Sequence, residues 1–245
     1  LVLEVAPPAQ AEADGRAQTR LFRIGFGFLL LACYVIRSMD LELYFGELGI
    51  ARLDALPDLM PMAYRFSIFQ YLTTDTFLWI FNFIFLASLL AFALGFMPRL
   101  AVIVALFLHL SFLHRNLAVA YGVDLISCFF LLILCFADYR RDSDPKRESG
   151  DYQSVMGSMA YRLCQIQVCI IYGYSGLKKL KGTHWWSGDA VWDTLGNAQL
   201  ARWDFSWLAQ FPLVMITAAF ATILWEVYFP ALVWVRQLRY PFLAI

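Results

Sequence analysis

Long apolar stretches alternate with short polar segments along this chain. The apolar windows hold about 20 residues each, the length that an α-helix needs to cross roughly 30 Å of hydrocarbon. They cover residues 21 to 38, 76 to 96, 100 to 117, 122 to 138, 158 to 177 and 212 to 235. The pattern predicts an all-α fold, a polytopic transmembrane helical bundle with about six spans.

Composition supports this prediction and excludes other classes. Of the 245 residues, 61% are hydrophobic and 16% are charged, whereas a soluble globular domain has roughly 45 to 50% apolar and about 25% charged residues. Lys plus Arg and Asp plus Glu both number 19, so no basic excess indicates nucleic acid. The lipid bilayer is therefore the expected partner.

The chain divides into a polar lead and one membrane domain. Residues 1 to 18 are polar and alanine-rich, and no small-residue cleavage site follows the first window, so we expect a retained span and not a signal peptide. Residues 19 to 245 form the predicted transmembrane domain.

Basic residues predict how the chain is oriented in the membrane. The loop at 138 to 152, DYRRDSDPKRESGDY, carries the densest charge. If the N-terminus shares its side, that side holds 11 of the 19 Lys and Arg residues. The positive-inside rule then makes the N-terminus and this loop cytoplasmic. Segments 114 to 116 and 172 to 188 fall at the outer face.

The five cysteines all fall inside predicted spans, and none has metal-ligand spacing. We interpret them as small hydrophobic residues that fill helix contacts, and we predict no metal site. They are Cys33, Cys128, Cys135, Cys164 and Cys169.

A few polar residues interrupt the third and fourth windows, where an ionisable group costs several kcal/mol unless it faces protein or water. His109 precedes Asn116 by seven residues, so both are predicted on one helix face. His114 lies near the outer interface. Asp124 opens the fourth window, where a carboxylate caps a helix N-terminus or contributes to a ligand site.

Glu226 lies in the otherwise apolar stretch ATILWEVYFPALVWV, four residues before Pro230. Proline lacks an N–H, so it leaves the Glu226 carbonyl free where the side chain also needs a partner. The pair predicts a buried polar notch. Two interpretations stay open: a glutamate that is protonated or paired with an arginine for packing, and a proton-handling or ligand-binding group.

A cluster of lysines ends the fifth window, in YGYSGLKKLKGTHWWSG at 172 to 188. Lys178, Lys179 and Lys181 are explained as snorkelling anchors, with the adjacent tryptophans as an interfacial belt. However, Tyr172 and Ser175 share a helix face with Lys179. A partly desolvated lysine on such a face is a candidate base.

Several motifs, taken in order, resemble the horizontally transferred transmembrane (HTTM) family, bacterial membrane proteins similar to the membrane part of the vitamin K-dependent gamma-carboxylase. The resemblance extends from about residue 18 to 245. The motifs are RSMDLELYFGELG at 37 to 49, RFSIFQYL at 65 to 72, LHRNLAVAYGVDLI at 113 to 126, YSGLKKLKGTHWWSGDAVW at 174 to 192 and WEVYFPALVWV at 225 to 235.

The resemblance implies a site at the outer face of a multi-pass bacterial inner-membrane protein. In the carboxylase a lysine of a similar stretch is the base that starts oxygenation of a reduced quinone, vitamin K hydroquinone, before carbon dioxide adds to a glutamate. Lys179 matches that lysine, and Asn116 matches an asparagine of the same site. Leu117 departs from the family, which has histidine there, and we expect no counterpart of the large lumenal domain of the carboxylase. The resemblance also implies that the final stretch, RQLRYPFLAI, begins a further span that the family continues past residue 245.

Two functions of different classes follow from these residues. The first is a carboxylase-like or quinol-dependent enzyme with Lys179 and Asn116 as catalytic groups. The second is a noncatalytic membrane subunit that binds a lipid, a quinone or partner helices; a transporter ranks below both because no inverted repeat is evident. The ligand-binding candidates are Lys178, Tyr172, His114, Asp124 and Glu226.

The first testable prediction is the cytoplasmic position of loop 138 to 152. A single cysteine placed in this loop should react with a membrane-impermeant maleimide only after the cells are opened, because the bilayer blocks the reagent. A cysteine placed in the outer segment 183 to 187 serves as the control and should react in intact cells. Labelling of the loop in intact cells would reverse the orientation.

Overall fold

The computed structural model describes residues 8–50, 66–139, 152–197, 203–235 and 237–239. All regular secondary structure in these ranges is helical, as the apolar windows predict. The chain forms two compact units, Leu1–Cys164 and Gln165–Ile245.

Four long helices and one short helix build most of the first unit. They are α1 (Pro8–Arg37), α2 (Leu41–Phe45), α3 (Asp75–Leu94), α4 (Pro98–Arg115) and α5 (Gly122–Leu134). Helix α1 packs on α3, α3 on α4 and α4 on α5. Short 3-10 turns at Ser38–Asp40, Ile68–Gln70 and Leu117–Val119 connect or flank them.

Local sequence signals explain where these helices begin and end. Gly95 ends α3 in the left-handed conformation, with φ of 81°, which glycine adopts without a Cβ penalty. Pro98 then starts α4, where its missing N–H costs nothing. The shared core is largely aromatic, and Phe85, Phe92 and Phe112 are almost completely buried.

Helix α6 (Tyr152–Lys181) begins in the first unit and supplies most of its length to the second. The second unit continues with α7 (Thr183–Ser187), α8 (Asp189–Gly196), a 3-10 turn at Ser206–Gln210 and α9 (Pro212–Leu232). Helix α9 packs against α7 and α8. Gly188 makes the approach close, because a Cβ there would lie 2.8 Å from the Ile216 nitrogen.

Among the described residues, four helical segments are long and apolar enough to cross a membrane. They are Ala17–Phe45, Asp75–Leu94, Pro98–Arg115 and Pro212–Leu232. Many large apolar side chains on these segments face outward, among them Leu21, Phe83 and Leu213, as lipid contact requires. The chain is thus an all-helical protein suited to a membrane, and four of the six expected windows fold as helices long and apolar enough to span it.

The remaining two windows fold as helices, but neither helix is both long enough and apolar enough to count as a membrane span. Helix α5 is apolar but has 13 residues, fewer than the roughly 17 that a span needs. Helix α6 has 30 residues, but Arg162, Gln165 and Gln167 lower its hydropathy. The number of about six spans is therefore not confirmed. Most of the charged loop at 138 to 152 and part of the connection at 39 to 75 lie outside the described residues.

Gly27 is predicted to be essential for the contact between α1 and α3. A Cβ at this buried position would lie 2.9 Å from the Ala93 Cβ, so Gly27→Ala should lower the free energy of unfolding by about 1 to 3 kcal/mol through overpacking. Gly25 is the matched control, since it lies on the same helix and a Cβ there meets nothing within 4 Å. Gly25→Ala should leave stability unchanged or raise it by about 0.5 kcal/mol. Denaturation in detergent measures both, and equal effects would show that α1 and α3 do not pack closely here.

Candidate functional site

The candidate residues divide between the two units. Lys178, Lys179, Tyr172 and Glu226 belong to the second unit, and Asn116, His114 and Asp124 belong to the first. Each group has its own polar partners.

Two glycines bring α6 against α9 in the second unit. A Cβ on Gly176 would lie 2.8 Å from the Val227 nitrogen, and one on Gly173 would lie 3.0 Å from the Pro230 ring. Small residues of this kind let helix backbones approach closely in membranes. Lys179 follows Gly176 by three residues, so the contact places it beside Glu226.

Lys179 and Glu226 form a mostly buried ion pair. The Lys179 Nζ donates to Glu226 Oε1, and the two side chains are 17% and 10% exposed. The ammonium also lies over the Trp185 ring, 4.5 Å from its centroid. A carboxylate and an aromatic face therefore hold this cation together.

The glutamate keeps one oxygen without a partner. Glu226 Oε2 and the neighbouring Trp225 Nε1 are buried, and neither has a hydrogen-bond partner among the described residues. Such an atom loses its hydration without compensation, so it is rare in proteins and often marks functional sites. The sequence hypothesis considered an arginine as partner of Glu226; the structure pairs it with a lysine.

The other lysines of the cluster differ from Lys179. Lys178 and Lys181 are exposed, and Lys178 lies over the ring of Tyr174, with 5.3 Å between Nζ and the centroid. These two therefore fit the snorkelling interpretation. Tyr172 packs its ring on Trp225, at 4.8 Å between centroids, as part of an aromatic cluster beside the ion pair.

The Asp124 carboxylate, in the first unit, is held by hydrogen bonds from other parts of the protein. Its carboxylate accepts two hydrogen bonds from the Arg37 guanidinium, at 3.0 and 3.1 Å. It also accepts from the Tyr121 backbone N–H at 2.8 Å, which satisfies a free donor at the start of α5. Asp124 thus caps the start of α5, as its place in the sequence suggested. Its ion pair with Arg37 also joins α1 to α5.

His109 joins the same network from α4. Its Nε2 lies 2.8 Å from the Asp124 backbone oxygen, and its Nδ1 lies 2.9 Å from the Tyr34 hydroxyl. A carbonyl oxygen only accepts, so Nε2 carries a proton and donates it to the Asp124 carbonyl. Both ring nitrogens of this buried histidine therefore have hydrogen-bond partners.

Asn116 lies just beyond α4 in extended backbone, so it does not share the helix face of His109 as predicted. Its amide nitrogen donates to the Tyr44 carbonyl at 2.6 Å, and its oxygen accepts from the Ala118 N–H at 3.0 Å. His114 Nδ1 accepts from the Phe66 N–H at 3.0 Å. Both side chains thus hold loop backbone onto the end of α4.

Sequence reasoning missed Tyr34 and Arg37, which complete the network of the first unit. Arg37 lies at the end of an apolar window, where a snorkelling arginine is ordinary. The only sequence signals for this ion pair are a basic residue at the end of the first window and a carboxylate at the start of the fourth. The two residues are 87 positions apart, so no local pattern connects them. Within the described residues, no group of three or more His, Cys, Asp or Glu is placed to hold a metal ion.

These helices and buried ion pairs place the protein in the class of helical integral membrane proteins. Comparisons with protein-family models, with curated proteins and with solved structures found no match to this chain.

The ion pair predicts a difference between two substitutions of Glu226. Glu226→Gln keeps an acceptor for Lys179, whereas Glu226→Leu removes it. The free energy of unfolding should therefore be about 2 kcal/mol lower for the leucine variant than for the glutamine variant. Denaturation in detergent measures this difference. Asp193 provides the control: it lies 3.7 Å from His184, and both side chains of this contact are exposed. Asp193→Asn and Asp193→Leu should differ by less than about 0.5 kcal/mol. Equal stability of the two Glu226 variants would contradict a stabilising partner for the carboxylate.

Proposed function

We propose that the protein is a multi-pass membrane enzyme of the HTTM type that exchanges a proton with a reduced quinone at the Lys179–Glu226 pair. The observation that supports this function is a buried ion pair in which one carboxylate oxygen, Glu226 Oε2, has no partner among the described residues. The resemblance of the surrounding motifs to the carboxylase family supplies the class of substrate.

The pair suits proton exchange for a chemical reason. Lys179 can act as a base toward a quinol once its own proton has passed to Glu226. The two groups then act together: a quinol hydroxyl gives its proton to the pair, the quinolate remains, and the pair carries one extra proton. Aromatic rings of Tyr172, Trp185 and Trp225 adjoin the pair and offer faces for a quinone ring.

A second candidate is a noncatalytic membrane subunit that binds a lipid, a quinone or partner helices. The contacts of Asn116 favour it, because both ends of the amide already bind backbone groups. The close α6–α9 contact at Gly173 and Gly176 also explains the Lys179–Glu226 pair as helix packing alone. In both candidates the protein lies in a bacterial inner membrane with its N-terminus in the cytoplasm.

Replacing single lysines by arginine separates the two candidates. Arginine keeps its proton at any working pH and still pairs with a carboxylate, so Lys179→Arg should fold normally but lose at least about 100-fold in turnover of a reduced naphthoquinone such as menadiol. Lys181→Arg is the matched control and should retain wild-type turnover, because Lys181 is exposed.

Oxidation of the quinol by dioxygen dissolved in the buffer, measured by absorbance above the rate without protein, and bound quinone measured by mass spectrometry give the readouts. Loss of turnover in Lys179→Arg with retained quinone binding supports the enzyme. Equal behaviour of the two arginine variants in both assays would remove Lys179 from the site and favour the noncatalytic subunit.

A further inference from the structure

An open groove lies where α3 turns into α4 in the first unit, away from Lys179 along the chain. It has a volume of about 570 Å³, and its walls include Met97, Leu100, Ile103, Arg99 and Tyr139. By the orientation predicted above, this turn is at the cytoplasmic surface of the membrane. None of the candidate site residues lines it.

The apolar wall of the groove follows one stripe of α4. Leu100 and Ile103 are about half exposed, and Phe107 continues the stripe one turn further. The spacing of three and four residues places these side chains on one helix face. In a membrane this stripe leads from the headgroup level into the hydrocarbon, so it fits an acyl chain.

Positive charge concentrates at the head of the groove. Arg99 lines it and is exposed. Burial raises the pKa of the Tyr139 phenol, while the nearby charges of Arg99 and Arg23 act in the opposite direction. Arg99 and Tyr139 both line the groove, and the Arg23 guanidinium lies against Gly95, two residues before Met97 of the groove wall.

Arg23 is the second observation that indicates an anion. Its side chain packs against Gly95, where a Cβ would lie 2.2 Å from the guanidinium, and the residue is only 9% exposed. It has no hydrogen-bond or ion-pair partner among the described residues. No carboxylate is described beside this mostly buried residue, so an anion from outside the chain would stabilise this end of the unit.

Asp138 is the carboxylate of the groove lining. It is buried and has an interaction of its own, and its negative charge offsets one of the two positive charges of Arg23 and Arg99. The balance at the head of the groove remains positive.

We infer that this groove binds an anionic phospholipid, with its phosphate at Arg99 near Arg23 and an acyl chain along Leu100 and Ile103. Charge at the head and an apolar wall below it match the two parts of such a lipid. Inorganic phosphate offers the same anion but leaves the apolar wall uncovered.

The test titrates the purified full chain in detergent with phosphatidylglycerol, phosphatidylcholine or inorganic phosphate. Native mass spectrometry counts bound lipid, and thermal melting reports stabilisation. Phosphatidylglycerol should bind and stabilise, and Arg99→Gln should weaken this binding about fivefold, the effect of one arginine near an anionic lipid. Ile103→Trp should also weaken it, because the larger ring fills the groove. Arg239→Gln is the control, since Arg239 is an exposed arginine on the same predicted side and outside the groove.

Three outcomes would overturn the inference. Unchanged phosphatidylglycerol binding in Arg99→Gln excludes the phosphate position. Equal binding of phosphatidylcholine excludes selection by charge, and equal stabilisation by inorganic phosphate excludes the lipid. Melting of each variant without lipid confirms that it folds, so a loss of binding is not a loss of structure.

Discussion

The lack of water in the hydrocarbon layer is the constraint on which the polar structure of this protein depends. A charged side chain inside a span costs several kcal/mol unless another protein group replaces its hydration. Arg37 with Asp124 and Lys179 with Glu226 meet this requirement by direct contact. His109 meets it through Tyr34 on one ring nitrogen and a backbone carbonyl on the other.

Close helix contacts make these pairs possible. Apolar side chains gain little by leaving lipid for protein, so helices in a membrane associate through tight packing and polar contacts. Gly27 lets α1 approach α3, and Gly176 lets α6 approach α9. In the second unit the glycine contact lies beside the Lys179–Glu226 pair, so the packing there fixes which charges meet.

The two ion pairs differ in how completely they are satisfied. Both carboxylate oxygens of Asp124 accept hydrogen bonds, and the group has a structural role in joining α1 to α5. Glu226 uses one oxygen, and its second oxygen is buried without a described partner. A buried oxygen without a described partner is a reason to seek a ligand or a proton at Glu226. Arg23 has no counter-ion among the described residues, which is a similar reason to seek an anion at the groove of the first unit.

The sequence by itself determined the helical class, the membrane environment and most helix positions, because apolar length and proline or glycine signals act locally. The windows at 76 to 96 and 212 to 235 match α3 and α9 within a few residues. It also singled out Lys179, Glu226 and Asp124, since charge in an apolar stretch is conspicuous without a structure. Only the tertiary structure decided their partners. Glu226 lies 47 residues from Lys179 and Asp124 lies 87 from Arg37, and which charges meet depends on where helices cross, which no local pattern encodes.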